Sequence, residues 1–229
     1  MTETYEFLAR GGPVMVIIAL CSVISLTIFV ERLWALQRSR VIPTRLVHLI
    51  RQLVSEGRFD EARSLCTSNE SAIASVLLAG LKQVHQGRAI MREAMQDRGR
   101  REIAELERFT GALGAIATIA PLLGLLGTIT GMIKTFQQVN ESVAITGQMS
   151  PGALANGIWE ALITTAAGLT VAIPAYLAYR FVMARIDRSA GDMEEISIDI
   201  LDSAMTVSER SGATRTEQAE TEPPKDVEA

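Results

Sequence analysis

Between Arg108 and Lys134 the chain runs for 25 residues without a charge, FTGALGAIATIAPLLGLLGTITGMI. A soluble core rarely tolerates so long a run, whereas a helix crossing a bilayer requires one. Residues 11–30 (GGPVMVIIALCSVISLTIFV) form a second, 20 residues long. As a helix they extend ~30 Å, one hydrocarbon thickness. From Ser142 to Tyr179 a third run carries one charge, Glu160, within GIWEALITTAAGLTVAIPAYLAY. The charged residues, 21% of the chain, are segregated away from these runs. Such segregation predicts an all-α integral membrane protein with three transmembrane helices.

A carboxylate placed centrally in an apolar span costs ~2.5–3.5 kcal/mol on insertion scales. Such groups usually face protein or a wet path, which makes Glu160 the first functional candidate. Its depth is open. Ser150-Pro151 resembles a helix cap with proline at the first helical position, which puts Glu160 ~14 Å into the helix. Trp159 and Tyr179, ~30 Å apart, read as interfacial aromatics and put Glu160 near the outer edge. Both place it in the outer half.

The basic residues set the orientation. Residues 32–108 hold 14 Lys and Arg, and residues 134–157 hold only Lys134. The positive-inside rule then places the N-terminus outside, 32–108 in the cytoplasm and the C-terminus inside. The expected plan is an external segment 1–10, span 1 at 11–34, a cytoplasmic helical region at 35–108, span 2 at 109–137, an external loop at 138–150, span 3 at 151–180, a cytoplasmic helical extension at 181–208 and a disordered tail at 209–229. The N-terminus has neither the basic start nor the cleavage site of a secretory signal.

In the cytoplasmic region Pro43 opens a helix that Gly57 ends, Asp60 caps a short one through Cys66, and Ser71 caps another ended by Gly87. Residues 88–108 read as a charged stem continuing straight into span 2. Beyond Arg180, Ile186, Met193, Ile200 and Val207 recur every seven residues, a seam for packing within the chain or between copies.

Span 2 is rich in small residues. Gly124, Gly127 and Gly131, with Gly168 on span 3, read as helix-packing positions, Gly127 and Gly131 forming a G-x-x-x-G pair. Pro121 and Pro174 remove backbone donors and predict kinks. Thr128 lies in the outer half of span 2, and Thr165 follows Glu160 by five residues. Thr165 is turned about 140° from Glu160 on a 3.6-residue helix, so a path using both needs two sides of the helix or water between.

Net charge −4 gives no basic excess for nucleic acid. Cys21 and Cys66 lie in unlike settings, His48 and His85 stand alone, and no metal-ligand spacing or cofactor motif is present. No nucleophile–base pair or phosphate loop supports an enzyme.

The stretches APLLGLLGTITGMIKTF (120–136) and GIWEALITTAAGLTVAIPA (157–175) resemble the ExbB/TolQ branch of the MotA/TolQ/ExbB proton-channel family. GGPVM and the ER closing span 1 match as well, and the resemblance covers about residues 5–208. It implies a pentamer in the bacterial inner membrane, embedded in lipid. The ring surrounds a dimer of ExbD/TolR-type partners, each with a membrane aspartate that this chain lacks. Proton flow would power work through a TonB- or TolA-type protein, or a gliding-type motor. By the same resemblance Glu160, Thr128 and Thr165 serve the proton path. A non-conducting membrane scaffold, with Glu160 paired structurally, is the alternative.

Overall fold

The computed structural model describes residues 12–146 and 151–221. The expected external segment 1–10 and the ends of the expected loop and tail, 147–150 and 222–229, lie outside the described residues. Eight α-helices account for nearly all of the described chain: α1 Gly12–Ala35, α2 Arg38–Val41, α3 Thr44–Ser55, α4 Phe59–Thr67, α5 Ala72–Leu81, α6 Arg88–Glu107, α7 Thr110–Thr146 and α8 Pro151–Thr221. Three stretches are long and apolar enough to cross a membrane: Pro13–Ala35, Thr110–Ala144 and part of Leu154–Glu209. The chain divides into two units, one of Met1–Trp34 with Arg108–Ala184, the other of Ala35–Glu107 with Arg185–Ala229.

The second unit is an ordinary hydrophobic core. Leu46, Val47, Ile50, Leu53 and Val54 form the buried stripe of α3. They join Ile73, Leu77 and Leu81 of α5, Met91 and Met95 of α6, and Met193, Ile200, Leu201 and Ala204 of α8 in one cluster. Met193 and Ile200 of the seven-residue seam after Arg180 thus pack within the chain. Ser71 caps α5, its hydroxyl accepting from the Ala74 N–H at 3.4 Å. Gly57 and Gly87 take φ of 77° and 99° at the ends of their segments. Asp60 is not a cap. Arg58 holds that position, and Asp60 and Glu61 lie in the first turn of α4, where the helix dipole favours anions.

Gly57 permits a sharp prediction. Its left-handed backbone suits glycine, and a Cβ there would stand 3.3 Å from Val207 Cγ1. Gly57→Ala is expected to lower stability by about 1 kcal/mol or more, read as a reduced Tm.

Cys66 is buried in the same core, and burial pushes its thiol from 9.0 up to about 11. Below pH 9 both folded and unfolded chains keep the proton. Between about 9 and 11 the unfolded chain loses it first, so stability falls as pH rises through that window. Thermal unfolding should record a loss of order 1–2 kcal/mol there, absent in Cys66→Ala.

Three expectations about helix ends need correction. The stem does not continue straight into span 2: the helix stops at Glu107 and restarts at Thr110. Phe109 takes φ 64° at the break, with the Arg108 and Arg32 guanidinium groups 4.7 and 5.7 Å from its ring centre. A left-handed non-glycine residue costs ~1–2 kcal/mol, and cation–π contact offsets part of that. The loop expected from 138 is still helix to Thr146, since QQVNESVAIT contains neither Gly nor Pro. The tail expected from 209 is helical to Thr221, and Pro223 is the first proline after Arg180.

Candidate functional site

The first unit is organised by the contact of α7 with the first half of α8. Small residues line it, and the register follows from what a Cβ at each glycine would meet. At Gly131 it would lie 3.3 Å from Ala161 Cβ. At Gly124 it would lie 3.1 Å from the Thr164 carbonyl oxygen and from Thr165 Cα. At Gly168 it would lie 2.6 Å from the Ala120 carbonyl oxygen and 3.0 Å from Gly124 Cα. At Gly127 it would run into the Thr164 side chain, and at Gly157 into that of Thr135. Nearer the other end, a Cβ at Gly114 would lie 3.3 Å from the Tyr179 ring. Numbers rise on one helix as they fall on the other, so the pair is antiparallel. The four glycines singled out from the sequence all sit in this seam. Gly157 and Gly114 join them, as do Thr135, Ala161 and Thr164, which spacing alone did not select. Both helices run unbroken past Pro121 and Pro174.

Thr128 and Thr165 meet on one flank of the seam. Their hydroxyl oxygens are hydrogen-bonded to each other. Thr128 Oγ1 also lies 3.0 Å from the Ala161 carbonyl and 3.2 Å from that of Gly124. Thr165 Oγ1 lies 3.2 Å from the Gly124 carbonyl across the helix pair. Both hydroxyls are half-buried. Thr164 is buried in the seam and donates to its own helix, to the Glu160 carbonyl at 3.1 Å.

Glu160 does not join the threonine pair. Its side chain is exposed and has no ion-pair or hydrogen-bond partner among the described residues. The 140° separation from Thr165 on an ideal helix accounts for this. Of the three proton-path candidates, the structure therefore brings two together and leaves the third on another face. Among the described residues no group of three or more His, Cys, Asp or Glu is placed to hold a metal ion.

The outward faces of the unit are apolar. Val16, Leu20, Val23 and Leu26 of α1, Leu122, Leu125 and Ile129 of α7, and Leu162, Leu169 and Ile173 of α8 are all exposed. A face of that composition suits lipid or another apolar helix.

Comparison with known proteins gives the family. Residues 68–195 match the model of the MotA/TolQ/ExbB proton channel family, over half of the chain, with the whole α7–α8 seam inside the match. The chain belongs to that family. Within it the chain falls in the ExbB/TolQ branch. It is 40% identical over 184 residues to the putative biopolymer transport protein ExbB-like 1 of Synechocystis sp., covering 78% of this chain and 69% of that one. It is 29% identical over 192 residues to a putative ExbB homolog of Methanothermobacter thermautotrophicus, covering 83% and 67%. To the Tol-Pal system protein TolQ of Haemophilus influenzae it is 40% identical over 87 residues, 38% of this chain and 36% of that one. Family membership and the three apolar stretches together make this a multi-pass membrane protein.

Proposed function

We propose that this ExbB/TolQ-family chain is a subunit of a biopolymer-transport or Tol-type complex in the bacterial inner membrane, converting proton flow into mechanical work. The observation that carries the reading is Glu160. It is the sole carboxylate in the apolar length of span 3, and its side chain is left exposed and unpaired by its own chain. In lipid such a group needs a polar partner or water beside it. Other copies around a lumen, with an ExbD/TolR-type dimer inside, would supply the water. The family's pentameric ring is the assembly we assign, oriented with the N-terminus outside and the second unit in the cytoplasm. A TonB-type protein is the first candidate for receiving the work, with TolA-type and gliding-type systems next.

The energetics are compatible with that role. One charge crossing 100 mV gains about 2.3 kcal/mol, comparable with the cost of holding one carboxylate in the membrane. A proton taken up and released at Glu160 can therefore be biased by the field without an unsurmountable barrier. Thr128 and Thr165 enter the path, in this reading, as hydroxyls at the seam that fix span 3 against span 2.

The test is co-expression with the ExbD/TolR-type protein encoded beside it, followed by proton uptake in liposomes. Wild type should conduct, and Glu160→Ala should assemble in equal yield and conduct at least tenfold less. Equal conduction by Glu160→Ala would remove Glu160 from the path. Assembly without conduction by either would favour a scaffold.

A further inference from the structure

The threonine pair calibrates the geometry of the other flank. Thr128 follows the seam residue Gly127 by one position, and Thr165 follows Thr164 by one. Each is therefore turned about 100° from a seam residue in the forward sense. Because the helices are antiparallel, these two rotations lead to the same side of the pair, where the hydroxyls meet. Positions that precede seam residues by one must come together on the opposite side. Glu160 precedes Ala161, and Lys134 precedes Thr135, both of them buried seam residues.

The levels agree too. Thr135 faces Gly157, so Lys134 stands level with Ile158, and Glu160 is two residues, ~3 Å, further along. Interaxial spacing at a glycine-rich contact is at the short end of the range, about 8 Å. Two long side chains on one flank can meet across that distance. Both are exposed, and neither has an ion-pair partner among the described residues.

Among the described residues no other charge lies within the same apolar lengths. On α7 the next charged residue is Glu141, two turns beyond Lys134. On α8 none lies between Pro151 and Arg180 apart from Glu160. On α1 none lies between Gly12 and Val30, where the one titratable group is the Cys21 thiol. Each charge is expensive to hold alone in apolar surroundings, and pairing on this flank would relieve both.

We propose that Lys134 is the countercharge of Glu160, its ammonium crossing the open flank of the α7–α8 pair to hold the carboxylate when ionised and releasing it on protonation. Lys134 is thus a positioning residue for the site proposed above, and the assignment rests on that reading of Glu160 as the protonated group.

The experiment is carbodiimide labelling of the full-length chain, in membranes with its partner, as a function of pH. Dicyclohexylcarbodiimide adds to the protonated acid and not to the carboxylate. Peptide mass spectrometry reads the modification at Glu160. Lys134→Met should raise the pH of half-maximal labelling by about one unit or more, as removal of an opposite charge within ~4–6 Å does. Lys134→Arg should restore the wild-type midpoint, which a role in packing alone would not require. In the reciprocal measurement, Glu160→Gln should speed acylation of Lys134 severalfold by freeing its amine. An unchanged labelling midpoint in Lys134→Met overturns the pairing, and so does unchanged Lys134 acylation in Glu160→Gln. Proton uptake separates the two readings. Loss of uptake in Glu160→Gln with no midpoint shift in Lys134→Met sinks the pair and keeps the path. A midpoint shift with full uptake in Glu160→Gln keeps the pair and sinks the path.

Discussion

Gly168→Val is expected to abolish assembly. A Cβ at that position would lie 2.6 Å from the Ala120 carbonyl oxygen and 3.0 Å from Gly124 Cα, and both are backbone atoms. A side-chain neighbour could rotate away; a helix backbone can only retreat as a whole. Retreat would open the contacts at Gly124, Gly127 and Gly131, because all lie on the same seam. The cost is at least that of overpacking a core, about 3 kcal/mol, with the two threonine hydrogen bonds lost besides. Purified complex should fall below a tenth of wild type at equal expression. Gly111→Ala is the control: nothing lies within 4 Å of a Cβ there, and exchange of glycine for alanine within a helix favours the fold by up to ~1 kcal/mol. Normal assembly of Gly168→Val would show that the α7–α8 contact is looser than its register implies.

The second large effect belongs to the other unit. Ile200 is fully buried, between Asp199, which pairs with Arg51 at 2.6 Å, and Leu201, which is in the core. Ile200→Asp puts a carboxylate into the apolar cluster that holds Ile50 and Leu77. An unpaired buried charge costs several kcal/mol, comparable with the whole stability of a small domain. The expected result is release of the distal part of α8 from the core, seen as rapid proteolysis between residues 186 and 208. Ile200→Ala, a cavity costing about 2–4 kcal/mol, should give an intermediate rate. Protease resistance equal to wild type in Ile200→Asp would mean that the seam carries little of the unit's stability.

The three spans were legible because bilayer crossing demands a long uncharged run, and no local detail can hide one. The seam glycines were legible for a related reason: small residues at helical spacing have few uses in an apolar span beyond close approach. The heptad seam at Ile186, Met193 and Ile200 was visible, but its partner was not. Periodicity gives the face of a helix and says nothing of what covers it. The break at Phe109 left no signal at all. Neither Gly nor Pro stands there, and one of the two guanidinium groups over the ring, that of Arg32, is distant in sequence. The helix ends at Thr146 and Thr221 were misplaced because polar residues were read as loop when nothing in them forbids a helix.

At the site, the 140° between Glu160 and Thr165 could be counted from sequence, so their separation on two faces was foreseeable. Lys134 was visible only as a charge bearing on orientation. Its relation to Glu160 needs the antiparallel register, which is a property of two helices and is written in neither alone.

The hydroxyl pair of Thr128 and Thr165 has a consequence of its own. Two hydroxyls hold two hydrogens, and around them stand the carbonyls of Gly124 and Ala161 and each other's oxygen. If Thr165 donates to Thr128, Thr128 must turn its hydrogen to a carbonyl. If Thr128 donates to Thr165, Thr165 turns its own to Gly124. The chain of bonds therefore has a direction, and rotating two C–O bonds reverses it while every heavy atom stays in place. The joint between these helices has two orientations of its dipoles that share one outline, distinguishable by neutrons or by the O–H stretch of the two threonines.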